Sequence, residues 1–538
     1  MKADVTRDTF DPLKHYTRVL TQQGRVQLDA DSNEQNSIVL QHYRELAVDL
    51  IGPASGPAGN LGFGIAALPN ASPADFRIGF GHYYVNGLLC RAEPSPIEIF
   101  PTGREGVFRV RNWSADFERA PGPPFELFDD VVGSTFEPVV VQIAHADRAA
   151  AEITIADMPR AGASIARPAL RRIITYLHQP DFVYSSAPGA VSPPSLPAGV
   201  VQVFLDVWER VITYAEDDSI RDVALGGPDT AARTKLVWQV KWMKADDNAG
   251  QPTGAVPAPV RSRGWLQAMA KRTSGSTNSG SNDGGYTGAG NQLYRVEINR
   301  GGLAGTDPAA SATFKWSRDN GSAIFPIASG GGTAGVVLRT FGRDERLGLA
   351  AGDLVEVEDD RTVLLNLPGR LLLVTAVDRT AMTVTLGGIP DSTIGRDAAL
   401  HPLLRRWDQT AGDPQAGGPT LTSDNAALIQ EGVWLTLEDG IQIRFQTANP
   451  AAVPGQTEAR NQYVTGDYWL IPARTATTDV EWPRVTDAQG NITPLAVPPH
   501  GVTHGYAPLA VVRVDRGGAV TVTADCRSSF GGIARPVS

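Results

Sequence analysis

The sequence predicts a mainly β protein of several small antiparallel sheets or barrels, with an N-terminal arm and one short helix. Three observations lead there. Glycine and proline, 56 and 39 of 538 residues, exceed ordinary usage without a collagen-like period, which marks many turns between short strands. Val, Trp, Ile and Tyr gather in runs such as VVQVFLDVWERVITYAE and TKLVWQVKWM, residue types that fit a pleated sheet. Helical spacing of apolar residues is clearest in one early stretch.

That stretch follows an arm rich in aromatic and charged residues. Asp31 or Ser32 can cap a helix with Glu34 in its first turn, and Ile38, Val39, Tyr43, Leu46, Ala47 and Leu50 recur at helical spacing before Gly52 and Pro53 stop it. Residues 1–64 are thus an arm plus helix, ending in the glycine-rich run Pro53 to Gly64. Residues 65–187 form a first β-rich domain: Asn86-Gly87 between apolar runs is a hairpin turn, PVVVQIAHA and AEITIADM are a further strand pair, and RPALRRIITYLHQ from Arg167 is read as a short helix. The Pro/Ser stretch Ser185 to Pro197 marks a boundary. Residues 188–344 form a central β domain with a flexible Gly/Ser loop at 273–290. Residues 345–390 are read as a small β-barrel module. Residues 391–538 form a C-terminal β domain, where VWLTLEDGIQIRF is a hairpin turning at Asp439-Gly440. No fixed-period repeat is visible, which argues against a solenoid or propeller.

Composition excludes several functions. A net charge of −10 with no basic stripe argues against nucleic-acid binding. Cys90 and Cys526 are too few and too far apart for a disulfide framework and fit a reducing compartment. MKADVTRD lacks an apolar signal region, and no apolar run is long enough to span a bilayer. A soluble protein assembled in the cytoplasm is expected.

Chemistry is sparse. P-loop, G-x-S-x-G and H-E-x-x-H motifs are absent. Asp29, Asp31 and Asn33 alternate as in a calcium loop, but the glycine and glutamate that such a loop needs are Glu34 and Leu40 here. His500 and His504 are four apart among Gly and Pro residues that oppose a helix. Asp206 and Glu209 flank Trp208, and two carboxylates beside an aromatic are what a glycosidase needs. Pairing of both with Arg210 or other strand neighbours is the simpler reading. The ten Trp residues are read as core or interface payload. No catalytic residue, metal ligand or cofactor is assigned.

The arm carries the assembly-interface candidates Arg7, Phe10, Tyr16, Arg18, Gln22, Gln23, Arg25, Asp29 and Asp31. It has few aliphatic residues with which to bury itself, so it is expected to become ordered on a neighbouring subunit, with Phe10 and Tyr16 as anchors; the alternative is that it folds back as an edge strand and cap on its own β domain.

RDTFDPLKHYTRVLTQQGRVQLDADSNEQ, LDVWERVITYAED, VALGGPDTAARTKLVWQVKW, NQLYRVEI, TFKWSRDNGS, LEDGIQIRF, GDYWLIPAR, EWP and YAPLA, in this order, resemble a bacterial protein family encoded in gene clusters of phage-tail-like contractile injection systems. One departure is Ser32, where that family more often carries Trp. The resemblance implies a structural or accessory component of the particle, at its baseplate or exterior, without enzymatic activity. Its partners would be other subunits, in a symmetric homo-oligomer, without nucleic acid or membrane insertion, and the particle would be open to extracellular release. The alternative is a carbohydrate-binding or glycan-hydrolysing protein for target attachment or wall penetration, with a surface glycan as partner.

Overall fold

The computed structural model describes residues 2–68, 71–93, 95–118, 122–131, 134–156, 165–181, 183, 194–244, 256, 264–271, 285–342, 346–391, 393–410, 417–448, 460–486 and 490–532. The chain is mainly β, in small antiparallel sheets and two closed six-stranded barrels. Its long helix, Asp29–Ile51, has 23 residues, and Asp360–Leu364 is a second, five-residue α-helix.

Two compact units interleave along the sequence. Unit one comprises residues 1–41, 209–235 and 259–503, and unit two residues 42–208, 236–258 and 504–538. The five consecutive domains expected from sequence are therefore not the arrangement. Strand Gly199–Ile212 pairs with Gly505–Val514, and this partner lies about 300 residues away, beyond the reach of any local sequence signal.

In unit two, Phe63, Tyr83, Val203, Leu205, Trp238 and Val512 belong to one core. The predicted hairpin is present: Asn86 and Gly87 both have positive φ, 49° and 76°, as a type I′ turn requires. In unit one, Thr313–Ser317, Gln292–Arg300 and Tyr468–Arg474 are the centre of a five-stranded sheet. Its core includes Tyr294, Trp316, Phe314, Phe445 and Trp469. The Asp439-Gly440 turn is present too, at φ 48° and 82°.

The barrels are two copies of one design. The N-terminal barrel, in unit two, uses Ile97–Pro101, Val107–Val110, Phe125–Asp129, Val139–Asp147, Glu152–Ala156 and Pro168–Arg172. The C-terminal barrel, in unit one, uses Ile324–Ser329, Gly335–Leu338, Leu354–Glu358, Leu371–Asp378, Thr383–Leu386 and Leu403–Trp407. With strands numbered along the chain, both close in the order one-two-five-four-three-six, antiparallel throughout. Glu126 faces Arg171 across strands three and six, as Glu356 faces Arg405. The four-to-five turns match as well. Asp147 Oδ1 accepts from the amides of Ala149 and Ala150, and Asp378 Oδ1 from those of Thr380 and Ala381. Ala151 and Met382 then both turn left-handed, at φ 53° and 57°. Short sequence blocks line up accordingly: FELFDD with VEVEDD, ADRAAAEITI with VDRTAMTVTL, and PALRRI with PLLRRW.

Two local expectations change, and two others lie largely outside the described residues. RPALRRIITYLHQ begins as a strand, because Pro168–Arg172 pairs on both sides and a completed ladder overrides a weak helical preference. The module expected at 345–390 holds only three of six strands, since the C-terminal barrel closes through Ile324–Ser329, Gly335–Leu338 and Leu403–Trp407. The loop expected at 273–290 lies outside the described residues up to 284, and the boundary at Ser185 to Pro197 lies outside them up to 193.

Candidate assembly interface

The arm begins as an anchor in unit one. Lys2 Nζ lies 3.1 Å from Glu297 and 3.3 Å from Glu358, both carboxylates being buried. Asn320 donates to the Ala3 carbonyl and Arg474 to that of Thr6, while Arg7 pairs with Glu481 at 2.7 Å. Thr6 donates from its amide and hydroxyl to Asp29, and Thr9 to Glu34. These hydrogen bonds outweigh burial and hold the Asp29 carboxyl below its ordinary range. Residues 2–9 are therefore tied to unit one, which corrects the expectation that a neighbour orders the whole arm.

The Lys2 socket is a buried ionic network between the five-stranded sheet and the C-terminal barrel. Lys315 reaches Glu356 at 2.5 Å and Glu297 at 3.5 Å. Arg295 donates to Glu297, Arg405 to Glu358, and Trp407 Nε1 to Glu356. Burial opposes ionisation of Glu297, yet Lys2, Arg295 and Lys315 together hold it well below the usual carboxylate range. Such a network contributes modest net stability when complete and is costly when one member is lost.

Beyond Pro12 the picture reverses. Leu13, Tyr16, Leu20 and Val26 are 81%, 57%, 66% and 83% exposed. Arg18, Gln22, Gln23 and Arg25 are exposed too, around a Gln22–Arg25 turn with Gly24 at φ 71°. Phe10 and Asp31 are partly buried. The Val19 amide donates to Gln35 and ties this stretch to the helix.

The helix is exposed in the same way. It starts at Asp29, ahead of the expected Asp31 or Ser32 cap, and ends at Gly52, which bonds back to the Val48 carbonyl. Of its apolar side chains only Ala30 and Ile38 are buried. Val39, Leu40, Tyr43, Leu46 and Leu50 are 40–67% exposed, so most of the apolar stripe faces outward. Soluble chains rarely leave so many large apolar groups together without a partner. The helical spacing was visible in sequence, but which face would be buried was not. Lys2 and the strand carboxylates escaped notice because nothing local links residue 2 to residues 297 and 358.

Other candidates for chemistry resolve differently. Asp206 pairs with Lys241 and with His504, both at 2.6 Å, and His504 stacks on Trp208. Glu209, three residues on, points to the opposite side of the strand, so these two carboxylates do not form a facing pair. Arg210 pairs instead with Glu216 and Asp360. Burial pushes the Cys90 thiol up to about 12, which makes it inert at neutral pH. Of the ten Trp residues only Trp265 is largely exposed, at 47%. No helix is long and apolar enough to cross a membrane, and among the described residues no group of three or more His, Cys, Asp or Glu could hold a metal ion.

The arm docks on residues from several motifs singled out in the sequence: Glu297 of LYRVEI, Asn320 of SRDNGS, Arg474 of LIPAR and Glu481 of EWP. Residues 1–148, 173–277 and 266–531 match the model of DUF6519, a family of unknown function. No curated protein and no solved structure matches.

Proposed function

We propose that this chain, which belongs to the DUF6519 family, is a structural component of a larger assembly and joins it through residues 12–51. One observation carries the reading. Ten large apolar side chains between Leu13 and Leu50 are 40–83% exposed, in a segment whose first residues are tied to unit one. That segment offers on the order of 1,000 Å² of apolar surface, where a standard interface takes about 800 Å² per partner. Aromatic and aliphatic groups on a tethered segment suit a subunit contact. The resemblance to a family encoded in gene clusters of contractile injection systems favours the baseplate or exterior of such a particle as that assembly. A glycan-directed role would need a platform of exposed aromatics beside paired carboxylates; among the tryptophans only Trp265 is largely exposed, and Asp206 and Glu209 do not face each other, so the assembly reading is preferred.

The test is co-sedimentation of the chain with particles expressed from its own gene cluster. The intact chain is expected in the particle fraction, and a chain lacking Leu13 to Val26 in the soluble fraction. Particles that form without the intact chain, or hold the shortened one equally well, overturn the reading.

A further inference from the structure

We infer that the outward face of helix Asp29–Ile51 pairs with the same helix of a second copy of this chain, as a short parallel coiled coil. The inference rests on the assembly reading and names its partner. Ser32, Asn36, Val39, Tyr43, Leu46 and Leu50 follow one another at alternating spacings of four and three. All six are exposed. That is the a/d seam of a heptad, narrower than the stripe a helix turns to a globular core. A period of 3.5 residues keeps a stripe in line only along another helix. The opposite side of the helix carries the buried groups Ala30 and Ile38, so the seam is free over its whole length.

The flanks permit self-pairing. In a parallel pair Gln35 meets the second copy's Leu40, and His42 meets Ala47, so no like charges oppose each other. Asn36 at an a position would face Asn36 of the other copy across the axis, a contact that fixes both register and parallel direction. Four apolar seam residues form less than two full heptads, too few to hold two isolated peptides. Here the helix is already folded on its own chain, so pairing carries no cost of helix formation. Exposed Leu13, Tyr16 and Leu20 of the arm, tied beside the helix through Val19 and Gln35, add apolar area toward that of a stable dimer.

The experiment uses the full chain. Native mass spectrometry at tens of micromolar is expected to give twice the chain mass. Tyr43→Glu combined with Leu46→Glu is expected to give the single mass with unchanged melting temperature, because both side chains are exposed in the folded chain. In a Cys526→Ser background, Asn36→Cys is expected to form an interchain disulfide under mild oxidation, and Glu45→Cys, off the seam, is not. A single mass for the unaltered chain, dimers that survive the double substitution, or equal crosslinking at positions 36 and 45 overturns the inference. A monomeric chain that still enters the particle through its arm defeats the coiled coil and leaves the assembly reading standing. A dimer that never enters the particle does the reverse.

Discussion

The two barrels share strand order, hydrogen-bond pattern and sequence blocks, yet they sit in different electrostatic settings. In the C-terminal barrel the row Arg405–Glu356–Leu371 is buried, closed over by Lys315, Trp407 and Ala426. The matching row in the N-terminal barrel is Arg171–Glu126–Val140, where the Arg171 side chain is 33% and Val140 52% exposed. Arg171 there lies between the rings of Phe80 and Phe128 and shares Glu126 with Arg77. The second carboxylate of the buried version, Glu358, is replaced by Phe128. The difference shows that barrel topology does not dictate how a barrel is held. One copy is locked by ions out of water, and the other rests on an ion pair that water screens.

Removing the matched arginines should break that symmetry most strongly. Arg405→Ala leaves buried Glu358 with Lys2 as its remaining ion-pair partner and should cost about 3–5 kcal/mol. Arg171→Ala loses a part-exposed pair and ring contacts, about 1 kcal/mol. Urea unfolding followed by tryptophan fluorescence compares them, and equal losses would show that the two joints are energetically alike.

Lys2→Met ranks next. It leaves three carboxylates opposed by Arg295, Lys315 and Arg405, so about 1–3 kcal/mol is expected. Thermal unfolding should show that loss, whereas deletion of Leu13 to Val26 should leave the melting temperature in place. A drop of similar size on that deletion would show the exposed stretch to be part of the fold.

The pH dependence should have opposite signs at one carboxylate of each unit. Burial pushes the Glu438 carboxyl of unit one up to about 7, with Arg318 opposing. Its contribution is complete below pH 4.5 and is lost as pH rises through 7, roughly 1–2 kcal/mol for a part-exposed group. In the N-terminal barrel, burial raises Glu126 but Arg171 and Arg77 prevail, and its carboxyl stays below the ordinary range. Its contribution is present above pH 4.5 and is lost as pH falls through the lowered value. Glu438→Gln should flatten the alkaline limb of the stability profile alone, and an unchanged limb would remove Glu438 from the account.

The smallest effect tests the equivalence itself. His401 bonds to Asp360 at 2.8 Å where the N-terminal barrel pairs Arg167 with Asp130 at 3.5 Å. His401→Arg installs the other barrel's residue and should change stability by less than about 0.5 kcal/mol. It should also remove a pH dependence: the hydrogen bond with Asp360 raises the His401 pKa, so its contribution is present below pH 6.5 and is lost as pH rises through the folded value. A loss above about 1 kcal/mol would argue against equivalence.

Much of the β architecture was legible because alternation and turn chemistry are local. Asn86-Gly87 and Asp439-Gly440 announced their hairpins, and VVVQIAHA with EITIA announced a strand pair. The duplication was equally present in the letters, in PALRRI beside PLLRRW, but unequal loop lengths hide it from any search for a fixed period. Arg167–Arg172 was misread because a run of two arginines among aliphatics suits either state until a partner strand is known. In the arm, the charged and aromatic content was legible. Its division at about residue 12 was not, since the socket for Lys2 is assembled from residues hundreds of positions downstream.

That socket also sets an order of events during synthesis. Lys2 leaves the ribosome long before its partners: Glu297 and Glu358 must both emerge before it has a place to bind, and Arg405 before the network is complete. At about 5–20 residues per second, roughly 400 further residues take on the order of 20–80 s. Unit one therefore closes around a residue made long before, and the stretch that carries Lys2 waits without its ionic partners until the strands of the sheet and barrel have been made.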